Sequence, residues 1–427
     1  CGWFNRSKTG SRGAYSLSIW IETANINIAS FNKVLEMTEE TKKVLFFEVL
    51  GGSIGRYPLW LSKSLKQLSG NFNFIFLADN KIERQMKCDL NEQLGNTKFY
   101  ESSYIPSVSS CRDQIAKIRP QVIIIFAHRL PDMALLIAAK QLGIPTVYYQ
   151  HGLYIPFMRR TLGLFFSKAL KTFRYAFYAI SVGSNTGIGR ISGFISFIKL
   201  FIFGYDIREV GLPIEKITAD KCLVYGDYWI DYHVKQYGYS KNAIKIVGAP
   251  DLDGVDLEGS EILDSSSLEN KFCYVAQTLV EDGRLERSVM ENFLQNLSGQ
   301  IISSDGELLI KLHPRSDKSL FNSLECNYKF CEKFPAADIF IGHYSTILIR
   351  GIAYSEKFLL VNFEGHDIPE YIRMLANEIV ESDDKLSLNK AIESLRVKSK
   401  DYTALTEKRK NIKNYFDVSD QRSFDRV

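Results

Sequence analysis

The segment Lys311-Leu312-His313-Pro314-Arg315 packs two cations, an imidazole and a rigid turn into one short stretch. About thirty residues later, Tyr344-Ser345-Thr346 sets two hydroxyls before the apolar run Ile347 to Ala353. A cation or imidazolium beside a leaving phosphate stabilises the charge that develops as a bond to it breaks. The imidazole can also donate a proton there. Hydroxyls and backbone N–H groups at the start of a helix hold phosphate well. The plainer readings are a surface histidine before a turn-forming proline, and ordinary N-capping by Ser and Thr. Capping and phosphate binding are compatible.

A third motif, Gln150-His151-Gly152, lies in the other half. An ordinary imidazole titrates near 6.5, which suits a general base, and a glycine lets substrate approach the backbone. His128 reads as a supporting residue. Gln277-Thr278 could touch base, ribose or phosphate, whereas Glu281-Asp282-Gly283 reads as a solvated turn opening a helix. Asp227 and Asp231 sit in the aromatic run Tyr-Gly-Asp-Tyr-Trp-Ile-Asp-Tyr. A carboxylate there could act as nucleophile or base, although helix surface is the simple reading. Gly51 to Gly55 could line an acceptor side but lacks the GxGxxG spacing of a dinucleotide site.

The elements that must position these residues alternate strand and helix. Apolar runs at Val44–Leu50, Asn73–Ala78, Gln121–Ala127, Ile144–Tyr149, Lys221–Tyr225 and Ile244–Val247 read as buried parallel strands. Pro131, the body Met133–Leu142 and Gly143 punctuate one helix. A second series follows: strands at Phe272–Ala276, Glu307–Leu312, Asp338–Ile341 and Phe358–Asn362, a helix with Leu285, Met290, Phe293 and Leu297 on one face, and a charged helical tail from Leu386 to Lys413. Between them, seven acids fall from Asp251 to Glu269 with no Lys or Arg. The expectation is an α/β chain of two Rossmann-type domains facing across a cleft: an acceptor-side domain over 1–250, a linker over 251–270 and a nucleotide-sugar domain over 271–427. Residues 1–41 read as a leader or first element. QHG, HP and YST all fall at strand carboxyl ends, where open parallel sheets bind ligands.

Composition narrows the class. A chain of 427 residues exceeds one ordinary core. A net charge of +4 gives no argument for nucleic acid. Seven scattered cysteines, with no CxxC pair and no zinc spacing, point to the reducing cytoplasm and to no metal. Neither a signal peptide nor an apolar run long enough to cross a membrane is apparent.

HP followed about thirty residues later by Ser-Thr resembles bacterial glycosyltransferases of the GT-B fold that use CMP-activated sugars, the sialyl-, polysialyl- and Kdo-transferases of capsule and lipopolysaccharide assembly. The resemblance implies that His313 acts on the CMP phosphate and that Ser345 and Thr346 bind it, without metal or cofactor. The group's acidic pair before Gly is replaced here by Gln150-His151-Gly152, which shifts the base to His151. A retaining variant would use Asp227 or Asp231 as nucleophile. The motifs are also similar to teichoic-acid polymerases that use CDP-glycerol. An epimerase sharing the architecture needs a different acidic and histidine set. A non-catalytic polysaccharide-assembly protein is a further class, against which the intact His151, His313 and Ser345-Thr346 argue.

Between Asp132 and Asp206 there is no Asp or Glu. Arg159, Arg160, Lys168, Lys171, Arg174, Arg190 and Lys199 lie within, interleaved with many Phe and Tyr residues. This composition, centred on 155–205, suits an interfacial helix or hairpin on anionic lipid. The expected setting is therefore the inner face of the cytoplasmic membrane, with a glycan or lipid-linked acceptor.

Overall fold

The computed structural model describes residues 42–416 apart from 50, 56, 70–71, 96, 103–105, 153–168, 253–267, 314, 364, 366–367, 382–384 and 399–401. Residues 1–41, most of the acidic linker, Pro314 and the cations Arg159, Arg160 and Lys168 thus lie outside the described residues.

Apolar runs become two parallel sheets. The first contains β1 (Lys42–Glu48), β2 (Phe72–Ala78), β3 (Thr97–Glu101), β4 (Val122–Ile125), β5 (Thr146–Tyr149), β6 (Lys221–Val224) and β7 (Ile244–Ile246), in the order β3-β2-β1-β4-β5-β6-β7. The second contains β8 (Lys271–Val275), β9 (Glu307–Lys311), β10 (Tyr328–Phe330), β11 (Ile339–Gly342), β12 (Lys357–Asn362) and β13 (Glu378–Glu381), in the order β10-β9-β8-β11-β12-β13. Phe46 registers with Ile124 across β1–β4, and Phe340 with Cys273 across β11–β8.

The continuous apolar character of these strands has a direct cause. Along β8, Phe272 and Tyr274 enter one buried cluster while Cys273 and Val275 enter another. Both faces are covered, so no position is left for water. The second of those clusters also contains Phe46, Phe76 and Val224 of the first sheet, and thus runs through both halves.

Helices connect the strands: α1 (Tyr57–Ser69), α2 (Arg84–Leu94), α3 (Val108–Ile118), α4 (Leu130–Gln141), α5 (Ala169–Asn185), α6 (Arg190–Phe201) and α7 (Asp227–Tyr237) in the first half. The second half has α8 (Arg287–Ser303), α9 (Glu370–Arg373), α10 (Lys385–Val397) and α11 (Tyr402–Phe416). Helix α4 starts as its sequence indicated, with Pro131 in the first turn and the Asp132 carboxylate accepting from the Arg129 N–H at 3.0 Å. It stops at Gly143, whose φ of +66° a side chain would resist. The described part of the basic-aromatic stretch forms the antiparallel hairpin α5–α6. Its backbones touch: a β-carbon on Gly193 would lie 2.3 Å from the Ala179 carbonyl oxygen.

Two sequence expectations change. The run Ile347–Ala353 is a 3-10 helix over Thr346–Ala353. The single tail helix is two helices, α10 and α11, and the second returns to the first half. Midway along it, the Lys408 ammonium donates to the carbonyls of Glu356 (2.7 Å) and Leu375 (2.6 Å), and Arg409 donates to those of Ile352 and Ala353. At its end, the Trp229 indole donates to the Tyr415 carbonyl at 2.8 Å, and the Ala249 N–H to that of Phe416 at 3.2 Å.

Gly226 makes that return possible, because a β-carbon there would lie 2.6 Å from the Tyr415 carbonyl carbon. Gly226→Ala is therefore expected to destabilise by about 1–3 kcal/mol through overpacking. Thermal unfolding measures this; an unchanged melt would show that α11 lifts away without cost.

Candidate active site

In the second sheet, β8 lies between β9 and β11, so successive connections leave it on opposite sides. A crevice opens at such a switch point, beyond the carboxyl ends of the strands. The loops after β8 and β11 meet there. The Gln277 amide donates to the Tyr344 carbonyl. The Tyr344 hydroxyl donates to Asn362 Oδ1 at 2.6 Å, and the Asn362 amide donates to Glu381 Oε2 at 2.6 Å. Tyr344 thus holds the Ser345-Thr346 corner and is itself buried. Three buried oxygens nearby in sequence to these strand ends have no hydrogen-bond partner among the described residues: Gln277 Oε1, Glu281 Oε2 and Ser316 Oγ. Such atoms are costly unless a ligand or water satisfies them.

The loop after β9 carries His313. Its Nδ1 accepts the Arg315 backbone N–H at 3.2 Å, which places the ring proton of the neutral imidazole on Nε2. Arg315 braces this loop: its guanidinium reaches Asp282 at 2.9 Å and Thr278 Oγ1 at 3.1 Å. The Thr278 hydroxyl donates to Asp282 at 2.7 Å, and Glu281 accepts the Asp317 N–H at 2.6 Å. Glu281-Asp282 is therefore no solvated turn but the clamp on the histidine loop. Lys311, expected beside phosphate, points to the carbonyls of Cys331 and Glu332 in the loop after β10.

Opposite lies the loop after β5. Gln150 is buried and structural, its Oε1 accepting the Tyr225 N–H at 2.9 Å. Gly152 has φ +69° and donates its N–H to the Tyr225 hydroxyl at 2.9 Å. A β-carbon on Gly152 would lie 3.6 Å from Thr346 Oγ1. The QHG and YST loops therefore meet across the two halves. The His151 ring stands edge-on to Phe126, with centroids 6.5 Å apart.

Behind His151 is a cavity of about 450 Å³ in the first half. Its walls include His128, Tyr148, Tyr175, Phe201, Trp229 and Tyr237. His128 is stacked on Tyr237 at 4.2 Å, and its Nε2 is 2.8 Å from the Tyr239 hydroxyl. His233 donates from Nδ1 to the Trp229 carbonyl at 2.8 Å. Arg129 lies at the rim between Glu48 (2.8 Å) and Asp132 (2.7 Å). Sequence reading missed this cage, although Trp229, His233 and Tyr237 recur every four residues and so share one helix face. Asp227 and Asp231 are exposed on α7, and Asp231 pairs with Lys241 at 3.2 Å. Neither lines the cavity, so the cavity gives the nucleophile expectation no support. Among the described residues, no three His, Cys, Asp or Glu side chains gather to hold a metal ion.

Burial pushes His128 well below the ordinary histidine range, and His233 and His343 down to about 4. The unfolded chain protonates these rings near pH 6.5, before the folded one does. Their stabilisation is thus complete above pH 6.5 and is lost as pH falls toward 4. Asp132 opposes this: burial pushes it up to about 6 against the pull of Arg129, so its contribution fades as pH rises to about 6. Three histidines against one carboxyl should make the melting temperature rise from pH 4 to 6.5, less steeply in His343→Gln. An identical slope in that variant would overturn the assignment of a neutral buried imidazole.

No family model matches the sequence, and no curated protein matches it. Solved structures do match in fold. A Listeria monocytogenes protein assigned as a UDP-N-acetylglucosamine 2-epimerase aligns at TM-score 0.50 and 12% identity, covering 91% of this chain and 94% of its own. Acinetobacter baumannii MurG aligns at TM-score 0.47 and 11% identity, over 86% and 93%. A UDP-glucosyltransferase from Polygonum tinctorium aligns at 0.49 and 11%, over 91% and 97%. The first of these alignments spans both sheets, and the architecture is that of the GT-B fold.

Proposed function

We propose that the chain is a glycosyltransferase that moves a sugar from a nucleotide donor, of the CMP-sugar class, to a surface-glycan or lipid-linked acceptor. The observation that carries this reading is the approach of Gly152 to Thr346, which sets His151 of one half beside the Ser345-Thr346 corner of the other. The donor phosphate is assigned to Ser345, Thr346 and the Nε2–H of His313. The acceptor hydroxyl enters from the first half and gives its proton to His151 as its oxygen bonds to the anomeric carbon. The bond from that carbon to the phosphate oxygen breaks, and the electron pair leaves with the nucleotide. His313 stabilises the charge that the phosphate gains, a role in which a positioned donor is worth most. Neither Arg315 nor Lys311 is needed at the phosphate in this scheme.

Support for cytidine comes from the spacing of His313-Pro314 to Ser345-Thr346 and its resemblance to CMP-sugar transferases. A second reading, a UDP-sugar enzyme of epimerase type, is favoured by the Listeria monocytogenes fold match. Thermal shift separates them, because a ligand of the native state raises its melting temperature. CMP, CDP, UDP and GDP are compared at equal concentration. Selective stabilisation by CMP is expected; preference for CDP would move the donor to a polyol-phosphate class, and preference for UDP would favour the second reading. With the stabilising donor in hand, His313→Ala should lower kcat by about 10²–10⁴-fold while leaving the melt unchanged. Full turnover in that variant would overturn the role given to His313.

A further inference from the structure

The hairpin α5–α6 has two faces with different surroundings. Inward, Tyr175, Leu200 and Phe201 are buried and line the cavity. Outward, Phe173 and Phe177 are 59% and 48% exposed, one turn apart on α5. On α6 and just beyond it, Ile191, Phe194, Ile195 and Phe203 are 79%, 45%, 48% and 59% exposed. Large apolar side chains scattered singly over a surface need no explanation, but a concentrated patch does. Of the 14 exposed large hydrophobics among the described residues, eight fall between 173 and 205. The hairpin itself is closed by the contact of Gly193 with Ala179.

Charge indicates what covers the patch. From residue 133 to 205 the sequence contains no Asp or Glu, while Arg190 and Lys199 lie on α6 beside the exposed rings. Burial of an outer aromatic face demands no such exclusion of acids, whereas attraction to a negatively charged surface does. No helix among the described residues is long and apolar enough to cross a membrane. A helix pair with phenylalanines on one side, cations beside them and no acids fits the plane of a lipid interface, rings at the acyl boundary and cations among headgroups.

We propose that the outer face of α5–α6 docks flat on an anionic lipid bilayer. The cavity then lies on the opposite side of the same two helices, within reach of a substrate delivered at that surface. This surface assignment is independent of the chemistry assigned to His313 and His151.

The test is co-sedimentation of the full chain with phosphatidylcholine vesicles, with and without about one-third phosphatidylglycerol. Binding is expected to the anionic vesicles and to fall with added salt. The combined variant Phe173→Ser, Phe194→Ser, Phe203→Ser should bind roughly tenfold more weakly, and so should Arg190→Glu with Lys199→Glu. Phe173, Phe194, Phe203 and Arg190 are exposed and Lys199 is partly so, so each variant should melt with the parent; the charge pair and the salt series stand by themselves should the serine variant not fold. Parent protein that stays in solution, equal binding to neutral vesicles, or variants that bind like the parent would each overturn the proposal. A concentration-dependent dimer abolished by the serine variant, with no vesicle binding, would assign the face to a second copy instead.

Discussion

A cleft between two sheets needs something that holds the sheets to one another without filling the space between their strand ends. Helix α11 does this by hydrogen-bonding into both halves. Lys408 and Arg409 cap carbonyls of the second half, at Glu356, Leu375, Ile352 and Ala353. Fewer than ten residues on, Tyr415 and Phe416 receive N–H groups from Trp229 and Ala249 of the first. The capped carbonyls of Ile352 and Ala353 terminate the 3-10 helix that begins at Thr346. The same helix that anchors α11 at one end therefore presents the Ser345-Thr346 corner at the other. Trp229, which anchors its far end, is a wall of the cavity. Both sides of the cleft are referenced to one rigid strut.

Within that frame the histidines divide into two kinds by surroundings. His128, His233 and His343 are enclosed by aromatic rings and carbonyls, and burial keeps them neutral. Neutral imidazoles of this sort shape a site and orient its hydroxyls, as His343 does with Tyr274 at 2.9 Å. They are poor proton carriers near neutral pH because their charged form is too costly to reach. His151 and His313 are only partly buried and sit on the two loops that face the cleft. Location and solvation, more than residue type, are what single out these two for the proton and charge roles proposed above.

How much could be read from residues alone follows from the same physics. Central strands such as Val44–Glu48 and Phe358–Asn362 were legible because burial on both faces demands an unbroken apolar run. Three of the four edge strands were not: Thr97–Glu101 reads TKFYE, Tyr328–Phe330 reads YKF and Glu378–Glu381 reads EIVE, since an edge needs charge on its solvent side to discourage further pairing. The position of His313, His151 and Ser345-Thr346 at strand ends was legible from the strand runs before them. The clamp of Glu281 and Asp282 was not, because an acid that opens a helix and an acid that grips a distant arginine have the same local sequence. Only the approach of Arg315, 33 residues away, distinguishes them. The partners of Lys311 and Arg315 were not legible for the same reason: a cation in a motif shows no partner until the fold supplies one.

The clamp also shows how His313 could take the role proposed for it with its flanking cations engaged elsewhere. A mobile lysine or arginine at a phosphate must be ordered at each binding event, which costs side-chain entropy. Here Arg315 is already ordered by Asp282 and Thr278, and its backbone N–H fixes Nδ1 of His313 as an acceptor. The proton-bearing Nε2 is thereby set before substrate arrives. Preorganised donors stabilise developing charge without reorganising when the bond breaks. In the proposed reaction, one neutral donor held this way would replace a looser pair of cations, and Glu281 and Asp282 would act by holding the loop.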